Sequence, residues 1–177
     1  MLLLPLLLLL QQPPAPAAAP ARPAAADTAK PAPPPPAPLP LREESPVVTH
    51  HSIRIGGRSL NYTVTAGMMP LKDDKGVIEA NIFFMAYTLD NPSSVAKRPL
   101  MFSFNGGPGS ASVWLHLGAL GPRRVRMEDE GWLPAAPYEL ADNEQTWLEA
   151  TDLVFIDPVG TGFSRAATAE LGKKFWS

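Results

Sequence analysis

The run Pro99-Leu100-Met101-Phe102-Ser103-Phe104-Asn105-Gly106-Gly107-Pro108-Gly109 decides how the rest of the chain is read. A short apolar run predicts a strand buried on both faces. The glycine-rich turn that follows at once frees the backbone for conformations closed to other residues. Residues 110–120, SASVWLHLGAL, suit a short helix with serine at its N-terminus, ended by Gly118 and by Gly121-Pro122. An irregular stretch with Gly131, Pro134 and Pro137 leads to a second buried strand, Asp152 to Asp157, and a second glycine turn, Pro158 to Gly162. Strand, turn, helix, loop, strand is the order of a parallel α/β sheet.

Upstream the pattern is antiparallel. Val48 to Ile55 and Ser59 to Thr65 flank Gly56-Gly57, which predicts a β-hairpin. A further β-rich run extends from Val77 to Leu89. Before residue 47 nothing reads as globular. Residues 1–10, MLLLPLLLLL, are too short an apolar run to span a bilayer and fit the apolar middle of a signal peptide. An Ala-x-Ala-like exit lies around Ala17, Ala18 and Ala19, although no Lys or Arg stands between Met1 and the leucines. Prolines and alanines dominate from residue 13, and proline removes backbone donors and fixes φ. The expected organisation is a signal-like segment over 1–20, an extended, disordered Pro/Ala linker over 21–46, and the ordered domain over 47–177.

Composition narrows the chemistry. A formal net charge of -2 gives no reason to expect nucleic acid as a partner. No cysteine is present, which removes disulfides, thiolate nucleophiles and cysteine-held zinc. The glycine turn is no phosphate loop, because Gly109 is followed by Ser110-Ala111 instead of Lys and Ser/Thr, and the dinucleotide spacing is absent too. Free backbone N–H groups on such a turn suit a developing oxyanion instead.

The sequence here resembles the serine carboxypeptidases of the α/β-hydrolase superfamily. Phe104 to Ser112 looks like the family's Asn-Gly-Gly-Pro-Gly signature, and Leu117 to Val125 resembles the Leu-Gly-Pro stretch that follows it. Asn143 to Trp147 is similar to the Asn…Ser/Thr-Trp segment, and Phe155 to Ser164 to the Pro-x-Gly-x-Gly-Phe-Ser turn. The resemblance covers residues 99–165, in the family's order and spacing. It implies a partial α/β-hydrolase fold, with the antiparallel β meander leading into a mostly parallel sheet. It implies that the Gly107 backbone N–H is an oxyanion-hole donor. Asn105 and the Gly106 main chain would bind the free carboxylate of a peptide substrate. It also implies a Ser-His-Asp mechanism without cofactor or metal, and peptide C-termini as substrate. The signal-like segment predicts an exported, periplasmic or extracellular protein that meets a membrane only through that segment.

Departures from the family pattern stand at Ser103, where Trp is frequent, at Ser110 in place of Cys, and at Arg165 in place of Tyr. The nucleophile's Gly-x-Ser-x-Gly does not occur in residues 1–177. The resemblance therefore implies that this elbow follows residue 177 and that the present stretch is inactive alone. Gly162-Phe163-Ser164-Arg165-Ala166 comes nearest, but Ser164 lies beyond a loop and not at a strand end. His50, His51 and His116 come too early for the catalytic base, and His116 reads as a helix residue. Glu128-Asp129-Glu130 reads as a solvated loop, and Trp114, Trp132 and Trp147 as core residues. Two other readings compete. One is a proline-iminopeptidase-like hydrolase, a group with a similar loop but His where Asn105 stands. The other is an exported, non-enzymatic binding module.

Overall fold

Gly56 and Gly57 take φ of 51° and 82°, so both lie in the left-handed region that a two-residue hairpin of right-handed twist requires. They join Val47–Ile55 (β1) to Arg58–Lys72 (β2) in an antiparallel pair whose register closes on Ile55 and Arg58. This is a computed structural model, and it describes residues 40–92, 98–106 and 109–176. The signal-like segment, most of the expected disordered linker, and Gly107 lie outside the described residues. Residues 40–46 form no strand but pack against the sheet. Asn81 Nδ2 donates to the Arg42 carbonyl at 3.0 Å, Lys72 pairs with Glu43, and a Cβ on Gly67 would meet Pro46 Cβ at 2.9 Å.

The β-rich run forms Ile78–Leu89 (β3), antiparallel to β2. Leu100–Ser103 (β4) and Asp152–Ile156 (β7) then pair parallel, Leu100 opposite Asp152 and Ser103 opposite Phe155. The sheet runs β1-β2-β3-β7-β4, with the short Arg165–Ala166 (β8) added beside Ala80 and Asn81 of β3. The chain thus moves from the expected antiparallel meander into a mixed α/β sheet, whose parallel part among the described residues is the β4–β7 pair alone. Val113–Leu115 (α1) follows β4 and passes straight into a π turn, His116–Leu120. Arg123–Val125 (β5) and Leu140–Asp142 (β6) form a separate antiparallel pair. A 3-10 turn over Trp147–Glu149 leads to β7, and Ala169–Lys173 (α2) follows β8.

Three expectations need correction. β4 is not buried on both faces: Leu100 and Phe102 are 55% and 58% exposed and only Ser103 is buried, because β4 stands at the end of the sheet path. Gly118 does not end the helix but lies within the π turn, which Gly121 terminates. Trp114, Trp132 and Trp147 face solvent instead of serving the core.

The core sits between the meander and the crossover. Ile53, Ile55, Tyr62, Val64 and Tyr87 meet Leu148, Leu153 and Phe155 there. Strand periodicity puts Leu153 and Phe155 on one face of β7, at 0% and 1% exposure. Asp152 fixes the start of β7: its Oδ1 accepts from the Leu89 N–H at 3.1 Å and from Arg98 Nε at 2.6 Å. Arg98 also donates to the Leu148 and Glu149 carbonyls, so its charge is shared between the 3-10 turn and the start of β7. Phe155→Ala is expected to destabilise the fold by about 3–5 kcal/mol, read as a lower denaturant midpoint at unchanged slope.

Candidate functional site

Parallel pairing places the carboxyl ends of β4 and β7 side by side, so the two glycine turns leave the sheet from the same end. Asn105 begins the first turn. Its Oδ1 is buried and has no hydrogen-bond partner among the described residues. A buried acceptor left unpaired is rare in folded proteins and marks a place where a polar group from elsewhere fits. Gly106 is exposed, with nothing within 4 Å of where a Cβ would stand, so its main chain is open to approach. Gly109 takes φ 96°, a conformation glycine adopts readily and other residues do not.

Asp157 closes the second strand and binds the two turns together. It is 4% exposed. Its Oδ1 accepts from the Ser112 N–H and from Ser112 Oγ, both at 2.8 Å, and its Oδ2 accepts from the Phe163 N–H at 3.2 Å. Gly162 is glycine for a steric reason, since a Cβ there would overlap the Asp157 carboxylate, and its φ of 47° is left-handed.

Ser164 is fully buried. Its Oγ donates to the Asp157 carbonyl at 2.6 Å and accepts from the Phe83 N–H at 2.7 Å. The first closes the second turn on the residue that follows β7, the second ties it to β3, and among the described residues no face of the hydroxyl is open to a substrate. His50 and His51 lie on β1, His50 Nδ1 bonded to Thr63 Oγ1 and His51 Nε2 to Thr49 Oγ1. Glu128, Asp129 and Glu130 are exposed loop residues.

The Asn143–Trp147 segment shows what its sequence pattern is for. Asn143 Nδ2 donates to the Ala119 and Gly121 carbonyls at 2.7 and 2.8 Å, and Thr146 Oγ1 donates to the Leu120 carbonyl at 2.9 Å. The π turn's last carbonyls, orphaned at any helix end, find their partners here. Thr146 Oγ1 also accepts from the Leu148 N–H and so caps the following 3-10 turn.

His116 points inward from the π turn. Its Nε2 shares a 2.5 Å hydrogen bond with the Tyr87 hydroxyl, and its ring stacks on Phe155 at 4.6 Å. Burial lowers its pKa from 6.5 to about 4, against the opposing pull of the Asp157 charge. Burial likewise pushes the Tyr87 phenol well above its ordinary range, with the neighbouring Tyr62 adding to the effect. Sequence reading left open whether His116 packs or faces solvent, and it missed the clamp at Asp157.

A serine carboxypeptidase family model matches residues 57–174, and the chain belongs to that family. It is 34% identical over 113 residues to the pheromone-processing carboxypeptidase KEX1 of Saccharomyces cerevisiae, covering 61% of this chain and 14% of that protein. The enzyme of the same name from Komagataella phaffii is 35% identical over 108 residues, 58% of this chain and 15% of the relative. The crystal structure of Kex1(delta)p, a prohormone-processing carboxypeptidase from Saccharomyces cerevisiae, matches at 34% identity with TM-score 0.47, covering 57% of this chain and 20% of that one. The chain therefore spans about a seventh of the length of these curated relatives.

Two outcomes follow from the site's chemistry. The folded pKa of His116 lies below the unfolded value, so its contribution to stability is fully present above pH 6.5 and is lost as the pH falls from 6.5 toward 4. His116→Gln is expected to flatten the dependence of melting temperature on pH in that window relative to the parent protein. Ser164→Ala is expected to lower stability by about 1–3 kcal/mol through the unpaired Phe83 N–H, as denaturant titration would measure.

Proposed function

We propose that the protein to which this sequence belongs is a serine carboxypeptidase that releases residues from peptide C-termini by acyl transfer. Family membership supports the reaction class. Support for the site comes from the place of Asn105, an amide just after β4 at the carboxyl end of a strand in the parallel pair. An amide of this kind can bind a carboxylate through its N–H groups without adding a charge of its own. The exposed Gly106 main chain supplies further hydrogen-bonding groups beside it. The Gly107 N–H, which lies outside the described residues, is assigned to the oxyanion hole on the family resemblance alone.

In this reading the nucleophile, base and acid come from sequence after residue 177, and the 1–177 stretch has no peptidase activity by itself. The segment over 1–20 directs export, the Pro/Ala linker over 21–46 spaces the domain, and the enzyme works in the periplasm or outside the cell. No metal or cofactor takes part in the proposed mechanism.

The test uses protein expressed from the complete reading frame and a peptide offered with a free or an amidated C-terminus. Release of the C-terminal residue from the free acid only, blocked by a serine-directed inhibitor, is the expected result. Trimming from the N-terminus would select the proline-iminopeptidase-like reading instead. Asn105→Ala is expected to narrow the preference for free acid over amide by roughly 10–100-fold, the worth of a hydrogen bond to a charged group. An unchanged preference would remove Asn105 from the carboxylate site.

A further inference from the structure

We propose that Asp157 is a positioning residue for the acyl-transfer reaction, its buried carboxylate fixing the backbone that leaves the first glycine turn against the second. The inference rests on the carboxypeptidase reading above.

The turn that begins at Asn105 is mounted at two points. At one end Ser103 pairs with Phe155 in the parallel ladder. At the other, Ser112 is held by both its N–H and its hydroxyl to one oxygen of Asp157. The second oxygen takes the Phe163 N–H, so one carboxylate spans both turns. The backbone of Asp157 is anchored as well. Its main-chain N–H donates to the Phe83 carbonyl at 3.1 Å, and its main-chain carbonyl accepts from Ser164 Oγ. Ala111 closes the contact from the first turn's side: a Cβ on Gly162 would stand 3.2 Å from Ala111 Cβ.

Among the described residues no Lys or Arg forms an ion pair with Asp157. The donors on Ser112 and Phe163 therefore carry the solvation of a charge that is 4% exposed. A well-packed apolar residue would serve stability at least as well. What a carboxylate adds is direction, since charge-assisted bonds from both turns fix distances that apolar contact leaves free. A turn that supplies donors to a reacting carbonyl needs that fixity, because a displacement of about 1 Å can cost roughly 10²-fold in rate.

The experiment compares the parent protein, Asp157→Asn and Ser112→Ala, each expressed from the complete reading frame. Steady-state kinetics are measured on a free-acid peptide, together with inhibition by a peptide boronate that mimics the tetrahedral intermediate. Asp157→Asn keeps the shape but turns one oxygen into a donor, so either the Phe163 N–H or the two Ser112 donors lose their acceptor. Its kcat is expected to fall about 10²-fold with KM within threefold, and boronate affinity to fall in parallel. Ser112→Ala keeps the main-chain bond, and its kcat is expected to fall about tenfold in the same pattern. If Asp157→Asn does not fold, Ser112→Ala decides. Variants that fold and retain kcat and boronate affinity within twofold overturn the proposal, as does a loss shared equally by binding of substrate and of boronate. A parent protein without carboxypeptidase activity overturns the underlying reading first, before any variant is compared.

Discussion

An ion that keeps 4% of its surface in water must find its solvation inside the protein, and Asp157 finds it in two segments far apart in sequence. Because Ser112 and Phe163 both turn their N–H groups toward it, the ends of β4 and β7 are held to each other beyond the last ladder bonds of the sheet. The demand spreads outward. Gly162 must lack a side chain, Ser112 must carry a hydroxyl, and Ser164 must occupy the Asp157 carbonyl. Much of what looks like a glycine-rich functional motif in the second turn is packing around one carboxylate.

The crossover between the parallel strands obeys a second rule of satisfaction. A π turn leaves carbonyls without partners at its end, and the side chains of Asn143 and Thr146 supply them from beyond the β5–β6 pair. That frees the inward face of the turn for His116, which joins Tyr87 and Phe155 in one aromatic layer. The layer and the Asp157 clamp adjoin, since the charge on Asp157 is felt by His116.

The meander and the strand–turn–strand order were legible because their signals are local. Gly56-Gly57 is a hairpin turn by its backbone demands alone, and short β-rich runs mark β3, β4 and β7 where they occur. Exposure was not legible. Whether Phe102 or Trp114 is covered depends on which elements lie beside it, and β4 has a neighbour on one edge only among the described residues. The β5–β6 pair escaped notice because each strand has three residues and a loop with Gly131, Pro134 and Pro137 separates them. Asn143 was visible as part of a motif, yet its reason lies in carbonyls more than twenty residues upstream. Asp157 likewise read as a strand end, because its partners Ser112 and Phe163 flank it on opposite sides in the chain.

The stretch at residues 40–46 has a mechanical meaning. Its fastenings are to Lys72 at the end of β2, to Gly67 within it, and to Asn81 near the start of β3. Tension arriving through Pro40 would enter at these fastenings, along the antiparallel ribbon where many ladder bonds share the load in shear. The second glycine turn hangs on β3 too, through Phe83, so a pull that displaced the start of that strand would reach Asp157 as well.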